Sequence, residues 1–204
     1  MYREMHVQGE RHLGIPAQQT FDGRSLPSQA TRIKRLISET GARTILDYGS
    51  GKGQQYDPRP FRVEGEGAWE GILDYWDVDE VRCFDPGYAP YSRLPEGKFD
   101  GVISTDVLEH CPQEDIDWVL EEMFGFAARF VFATIACFPA KKRLPNGENA
   151  HCTIQPPQWW RAAFELAAAR QPAVQWQAWV VLSRQGEMDM ICGGSKAAEP
   201  SVRG

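Results

Sequence analysis

The sequence predicts an α/β fold in which helices cover both faces of a mainly parallel, doubly wound sheet, giving three layers. Three features of the chain predict it. Short apolar segments alternate with segments of helical periodicity over most of its 204 residues. A loop with three glycines directly follows the first of these apolar segments. The last two apolar segments stand close enough along the chain to pair antiparallel, which predicts an antiparallel last strand.

The chain begins with an expected arm and continues into one domain. Residues 1–27 are rich in Gly, Pro and Gln and show no periodicity, so we expect an N-terminal arm or lid. Residues 28–195 are expected to form a single domain, and residues 196–204 a flexible tail. The domain opens with a predicted helix over residues 28–40, with Ser28 as its N-cap and Gly41 as its end.

Strands and helices then alternate. The segment "TILDY", residues 44–48, is the first strand and runs into the glycine loop. Residues 57–67 are expected to be irregular and residues 68–76 to form a short helix. Further strands are predicted at residues 80–85, 99–105, 129–138, 173–184 and 187–194, and further helices at residues 113–127 and 156–170.

Composition and charge narrow the classes of function. The net charge of −6 argues against a strong nucleic-acid-binding footprint. No apolar run reaches the roughly 18 residues of a membrane span, and the polar N-terminus shows no signal peptide. Five widely spaced cysteines without a C-x-x-C pair suit a reducing compartment. We therefore expect a cytoplasmic protein with no membrane partner.

The glycine loop "DYGSGKG", residues 47–53, admits several interpretations. A phosphate-binding P-loop requires G-x-x-x-x-G-K-[ST], but Leu46 stands at the first glycine position and Gly53 follows Lys52. A dinucleotide site requires G-x-G-x-x-G, and Gln54 replaces its last glycine, which weakens that interpretation. A tight strand-to-helix turn without a ligand is a further alternative.

Together with the acid before it, the loop resembles the first motif of the class I S-adenosylmethionine-dependent methyltransferases, an acidic residue followed by G-x-G-x-G. The resemblance implies a Rossmann-like methyltransferase fold, with S-adenosyl-L-methionine as cofactor and S-adenosyl-L-homocysteine as product. It implies that Asp47 holds the amino acid end of the cofactor, directly or through water. The loop residues implied in cofactor binding are Asp47, Tyr48, Gly49, Ser50, Gly51 and Gly53.

Two further segments carry the same resemblance. Asp85, followed by Pro86, ends the strand "VRCF" and matches the family's acid that accepts hydrogen bonds from both ribose hydroxyls. It lies farther from Asp47 than the roughly 20 residues usual for such an acid, which we ascribe to an insertion around residues 57–67. The segment "FDGVISTDVLEHCP" resembles the family's fourth strand and following loop. This implies Thr105, Asp106 and Val107 beside the cofactor, and Glu109 and His110 at the pocket mouth.

The resemblance covers roughly residues 30–192 and implies a seven-stranded sheet ending in an antiparallel pair. One segment departs from it. Between Asp85 and Asp100 there is room for a loop only, so the third strand is expected to be reduced or absent. The family's acidic contact to adenine after that strand therefore has no match in this chain.

Two histidines are the predicted catalytic residues. His151 lies in the long loop of residues 139–156, and His110 follows the predicted fourth strand of the family. A neutral imidazole can accept a proton from an acceptor hydroxyl or amine. The alternative for each is a hydrogen bond to the local backbone and nothing more. His110-Cys111 and His151-Cys152 lack the spacing of a zinc site, so no metal is predicted.

The predicted function is methyl transfer from S-adenosyl-L-methionine to a small-molecule or nucleotide-like substrate, with the acceptor atom and the oligomeric state left open. Two alternatives remain. One is an NAD-dependent oxidoreductase or epimerase, and the other is a non-catalytic subunit that binds a nucleoside cofactor.

Overall fold

A six-stranded sheet forms the centre of the protein. The structure, a computed structural model, describes residues 2–10, 14–21, 23–144 and 146–194. In chain order the helices and strands are α1 (Tyr2–Gln8), α2 (Ala30–Thr40), β1 (Thr44–Tyr48), β2 (Phe61–Val63), β3 (Gly67–Trp69), α3 (Ile72–Trp76), β4 (Glu80–Phe84), β5 (Phe99–Thr105), α4 (Ile116–Phe126), β6 (Ala127–Ala136), α5 (Pro157–Ala168), β7 (Gln175–Val181) and β8 (Met188–Gly193).

The strand order confirms a doubly wound, mainly parallel sheet. The order is β4-β1-β5-β6-β7-β8, and only β8 runs antiparallel, against β7. The parallel part follows the 3-2-1-4-5-6 order of dinucleotide-binding sheets without its outer strand 3. The chain passes from β4 on one side of β1 to β5 on the other. The carboxyl ends of β1 and β5 therefore flank the topological switch point, where such sheets bind ligands.

The connection from β4 to β5 holds no strand. Residues 85–98, all of them described, contain one short 3-10 turn at Ala89–Tyr91. The expected loss of the third strand is confirmed, and the seven-stranded sheet implied by the resemblance is wrong for the described part of the chain. A third parallel strand here would need one crossover connection before it and another after it. Each parallel crossover takes a dozen or more residues, so fourteen residues are too few.

Helices pack on both faces of the sheet and complete the three layers. One buried core joins the sheet to α4 and α5 through side chains such as Leu120, Phe124, Trp160 and Phe164. A second core, on the other face, joins the sheet to α2 and α3 through Ile33, Leu36, Ile37, Tyr75 and Trp76. The central strands β1, β5 and β6 contribute to both cores, which explains their continuous apolar sequences.

The segment expected to be irregular contains a hairpin instead. Strands β2 and β3 pair antiparallel across the turn at residues 64–66, and β3 also takes the first residues of the helix predicted at 68–76. The aromatic rings of Phe61 and Trp69 pack on Tyr75 of α3, with ring centroids 5.3 and 4.6 Å away. This tertiary packing stabilises strands that their glycine-rich and charged sequence does not indicate.

Helix α2 ends where the sequence predicts but does not begin there. The helix ends at Gly41 in the left-handed conformation, with φ 65°, as predicted. Ser28 is not its N-cap, because a 3-10 turn at Leu26–Gln29 precedes the helix and Ser28 Oγ donates a hydrogen bond to the Ser25 carbonyl. The α-helix itself begins at Ala30.

The predicted N-terminal arm begins with a helix. The described part of the predicted arm comprises α1 and a 3-10 turn at Ala17–Gln19. The predicted tail, residues 196–204, lies outside the described residues. Among the helices of the described ranges, none has the length and apolar character that a membrane span requires.

Candidate functional site

The glycine loop lies at the carboxyl end of β1, at the switch point of the sheet. Gly49, Gly51 and Gly53 adopt φ values of 88°, 59° and 70°, a region that favours glycine. The loop is tied to the neighbouring strand because the backbone N–H groups of Gly49 and Ser50 donate to the Phe84 carbonyl, at 2.8 and 3.1 Å. A 3-10 turn at Gln54–Tyr56 follows the loop.

Each glycine is also required by a close contact within the protein. A Cβ atom on Gly49 would lie 2.5 Å from a methyl group of Val107. One on Gly51 would lie 2.7 Å from the backbone oxygen of Phe21. The three glycines therefore fit close packing of the loop and do not by themselves identify a ligand.

Asp47 is a buried carboxylate at the end of β1. Its Oδ2 atom accepts hydrogen bonds from Gln55 Nε2 and from the Tyr56 hydroxyl, both at 2.9 Å. Burial raises the pKa of Asp47 to about 6, which these two hydrogen bonds oppose and the negative charge of Asp85 reinforces. The two hydrogen bonds thus offset only part of the cost of burying the ionised carboxylate. A cationic group bound beside Asp47 would stabilise this ionised form.

Asp85 is the matching carboxylate at the end of β4. Its Oδ2 accepts from Gly51 N at 2.9 Å and its Oδ1 from Gly87 N at 2.8 Å, at the turn that Pro86 begins. Burial raises its pKa, and these backbone hydrogen bonds act in the opposite direction. An ionised carboxylate has about four lone-pair sites, so capacity remains to accept from a vicinal diol.

The N-terminal arm covers this edge of the sheet. His6 is buried, its Nε2 lies 3.6 Å from Asp85 Oδ1, and its ring packs between Phe21 and Tyr88 with centroids 4.5 and 5.2 Å away. Burial, with the nearby charges of Lys52 and Lys142, lowers the pKa of His6 to about 4, so it is neutral at pH 7. A segment predicted as an arm or lid therefore lies on the predicted cofactor residues.

Buried polar atoms around the loop lack hydrogen-bond partners. They include Ser50 Oγ, Gln55 Oε1 and the His6 Nδ1 atom. Buried polar atoms are satisfied in the great majority of cases, so three unsatisfied ones near the carboxylates of Asp47 and Asp85 need an explanation. A polar ligand bound against the loop would supply one.

Residues after β5 pack against the glycine loop and the arm. The hydroxyls of Thr105 and Ser25 lie 3.2 Å apart, and Val107 contacts Gly49. Tyr48, predicted to bind cofactor, instead directs its hydroxyl to Glu122 of α4 at 2.6 Å. Only its backbone belongs to the loop, because successive strand side chains point to opposite faces.

Glu109 was expected at the pocket mouth and lies in the interior instead, fully buried. Its Oε1 accepts from Ala136 N at 2.6 Å, whereas its Oε2 has no hydrogen-bond partner. Burial, together with the charge of Asp106, raises the pKa of Glu109 well above its usual range. The 3-10 turn at Leu108–His110 turns this side chain toward the sheet rather than the solvent.

The two predicted catalytic histidines lie side by side with a predicted cofactor residue. The rings of His110 and His151 are 4.9 Å apart and nearly perpendicular. One ligand atom of each, and one carboxylate oxygen of Asp106, all lie within 4.8 Å of one another. Burial lowers the pKa of His110, and the charge of Asp106 opposes that shift. Sequence reasoning did not predict this grouping.

The long loop after β6 is held in place from both sides. Thr153 donates through its backbone to Glu109 O at 3.0 Å and through its hydroxyl to Cys111 O at 2.8 Å. The side-chain oxygen of Asn149 accepts from the backbone N–H groups of Ala140 and His151, at 2.9 and 3.0 Å. These contacts fix His151 against the loop that follows β5.

Comparison of the chain with protein-family models, with curated proteins and with solved structures finds no match. Any function is therefore argued from the geometry of the site.

Proposed function

We propose that the protein is an S-adenosyl-L-methionine-dependent methyltransferase whose cofactor binds at the carboxyl ends of β1, β4 and β5. One observation carries the proposal: two carboxylates, the buried Asp47 and the partly buried Asp85, end adjacent parallel strands beside a triple-glycine loop at the switch point.

The two carboxylates suit the two polar ends of this cofactor. Asp47 would hold the ammonium group of the methionine part, which would compensate its buried charge. Asp85 would accept hydrogen bonds from the ribose hydroxyls. Ser50, whose hydroxyl is buried, belongs to the loop that follows Asp47. The sulfonium would carry the methyl group that is transferred by in-line displacement, a reaction that depends mainly on positioning.

Cofactor binding requires the arm to move. His6 contacts Asp85, the carboxylate proposed to bind ribose, and Phe21 lies against Gly51. The cofactor would exchange these contacts for its own, so the arm would act as a competing lid. His110 and His151 lie in the loops that follow β5 and β6, and either imidazole would be able to accept a proton from an acceptor bound there.

The alternative of a dinucleotide cofactor is less well supported. The parallel strand order is shared with dinucleotide-binding sheets. In those sheets, however, the pyrophosphate binds at the N-terminus of the helix that follows the glycine loop. Here a three-residue 3-10 turn and the β2–β3 hairpin stand in that place.

Thermal unfolding with ligands tests the proposal. S-adenosylhomocysteine or S-adenosylmethionine should raise the melting temperature, whereas NAD and ATP should leave it unchanged, because only a ligand of the native state stabilises it. A shift with NAD and none with either sulfur nucleoside would refute the proposal. Release of S-adenosylhomocysteine with candidate acceptors then separates an enzyme from a non-catalytic binding subunit.

A further inference from the structure

We propose that Asp106, His110 and His151 form a binding site for one divalent transition metal ion. The three residues come from two loops that the sheet brings together, the turn after β5 and the long loop after β6. Asp106 and His110 are four residues apart on one turn, but His151 lies 41 residues after His110, so the sequence alone does not show the grouping.

The distances are close to those of a metal site. The three potential ligand atoms lie within 4.8 Å of one another. Metal–ligand bonds of about 2.0–2.2 Å place ligand atoms roughly 3–3.5 Å apart, so a shift of at most about 1–2 Å closes the site. Asp106 is exposed and can supply that movement by side-chain rotation, while the buried His151 remains fixed.

Both imidazoles are oriented as metal ligands are. Nδ1 of His110 lies 2.8 Å from the Ala150 carbonyl, and Nδ1 of His151 lies 2.6 Å from the Phe138 carbonyl. A nitrogen that donates to a carbonyl carries the proton, which leaves Nε2 as the atom that coordinates. Metal-binding histidines almost always hold their second nitrogen in this way, because it fixes the tautomer and the ring plane.

The backbone of Asp106 supports a functional placement. Asp106 has φ 62°, in the left-handed region that non-glycine residues rarely adopt. Such a conformation costs energy and persists at sites where the surrounding structure imposes it. Here it follows the end of β5 and places the carboxylate near the two imidazoles.

Glu109 is a further carboxyl group that interacts with one of the proposed ligands. The buried side chain of Glu109 has one oxygen without a hydrogen-bond partner, and its carboxyl interacts electrostatically with Asp106. Glu109 is not among the three grouped ligands, and its interaction with Asp106 connects it to them. A cation bound at Asp106 would stabilise such a pair of neighbouring carboxyl groups.

The ligand types select the class of ion. Two imidazoles and one carboxylate are typical of Zn²⁺ sites that keep an open position and of non-haem Fe²⁺ sites. Mg²⁺ and Ca²⁺ prefer oxygen ligands and should bind weakly. Cys152 is exposed and adjacent to His151, but its thiol donates to the His110 carbonyl at 3.4 Å and is not one of the grouped ligands.

The role of the ion rests on the proposed function, whereas its binding does not. A bound acceptor hydroxyl would have a lower pKa and lose its proton to solvent or a base. An oxygen lone pair would then form the O–CH₃ bond as the methyl–sulfur bond breaks. The bonding pair stays on sulfur, giving the neutral thioether. The methyl acceptor would therefore be a compound whose hydroxyl group can coordinate the metal ion.

Calorimetric titration of the chelator-treated full chain with Zn²⁺, and with Co²⁺ as a spectroscopic probe, tests the site. We expect one ion per chain, and at least about 100-fold weaker binding in Asp106→Asn, His110→Gln and His151→Gln, since even outer-shell changes cost about 10–100-fold. Zn²⁺ at about 100 times its dissociation constant should raise the melting temperature of the wild type by roughly 5 °C or more. Circular dichroism verifies that each variant is folded.

Two control variants make the test specific. His6→Gln removes the described imidazole outside the cluster and should leave Zn²⁺ affinity unchanged, as should Cys152→Ser. The proposed site would be overturned if the folded wild type does not bind Zn²⁺, or if all three ligand variants bind it as tightly as the wild type. Weaker Zn²⁺ binding by Cys152→Ser would also overturn it. Titration with S-adenosylhomocysteine is a separate measurement, so failure of the metal site and failure of the cofactor proposal are distinguishable.

Discussion

The imidazole of His6 lies 3.6 Å from the carboxylate of Asp85, so a residue of the first helix contacts the acid at the end of β4. The same carboxylate accepts a hydrogen bond from the glycine loop. The arm therefore contacts a residue proposed to hold the cofactor, so a bound cofactor would compete with the arm.

Loosening the arm should strengthen cofactor binding. The buried Glu10 forms an ion pair with Lys142 of the long loop, which pins the arm. Glu10→Gln should destabilise the docked arm by about 1–2 kcal/mol and raise the affinity for S-adenosylhomocysteine about 5–30-fold. Glu39→Gln, which removes an exposed ion pair with Arg35, is the matched control and should have no effect. Weaker binding in Glu10→Gln would indicate that the arm supports the cofactor rather than competing with it.

Loss of the proposed ribose carboxylate should weaken the cofactor. Asp85→Ala is expected to cost about 1.5–3 kcal/mol of binding free energy, the usual size for hydrogen bonds to a charged group. Calorimetry with S-adenosylhomocysteine measures it. Asp79→Asn, just before the other end of β4 and paired with Arg43, should leave the affinity intact. Equal losses in both variants would point to a general effect on the strand.

Cofactor affinity should rise with pH through the titration of Asp47. Its pKa of about 6 means that the carboxylate is mostly protonated at pH 5 and mostly ionised at pH 7. Only the ionised form pairs with an ammonium group, so affinity should increase about tenfold between these values. Asp47→Asn should remove this rise. A flat profile in the wild type would show that Asp47 does not face the ammonium.

The same raised pKa predicts a stability change. A carboxyl whose folded pKa exceeds its unfolded value stabilises the fold below pH 3.8, and that contribution is lost as pH rises through about 6. At pH 7 Asp47→Asn should therefore be more stable than wild type, by up to about 3 kcal/mol, while binding cofactor less well. Urea unfolding at pH 7 measures the difference, and a variant less stable than the wild type would contradict the expectation.

Gly49→Ala should be clearly destabilising. Its φ of 88° strains any side chain, and the new Cβ would meet Val107 at 2.5 Å. Strain and overpacking together predict a loss of about 2–4 kcal/mol in the free energy of unfolding. Gly125→Ala, within α4 and with open space around it, should instead stabilise by about 0.5–1 kcal/mol. Similar effects in both variants would contradict the geometry of the loop.

The sheet could be predicted because its signals are local. The apolar segments of β1, β5 and β6 lie between two cores, and Gly41 ends α2 by its own conformational preference. The positions of Asp47 and Asp85 could be predicted because Asp47 lies at the carboxyl end of β1 and Asp85 directly follows β4. The β2–β3 hairpin was missed because its stability comes from aromatic packing on α3 and not from its own sequence.

The contacts between distant loops could not be predicted. Nothing local to His6 indicates Asp85 as its neighbour, and the meeting of His110 with His151 depends on how the loop after β6 folds back. The length of the loop after β6 was the one feature of the sequence that indicated a functional segment, since long ordered loops tend to be functional. Glu109 was misplaced because the course of a short 3-10 turn decides whether its side chain enters the core.

Calorimetric titration with S-adenosylhomocysteine, with wild type, Glu10→Gln and Asp85→Ala measured under the same conditions, decides whether the carboxyl ends of β1 and β4 bind this cofactor. We expect one cofactor per chain, tighter binding in Glu10→Gln, weaker binding in Asp85→Ala, and no heat with NAD. Absence of binding to folded Glu10→Gln, in which the arm is loosened, or tight binding of NAD instead, would refute cofactor binding at this site.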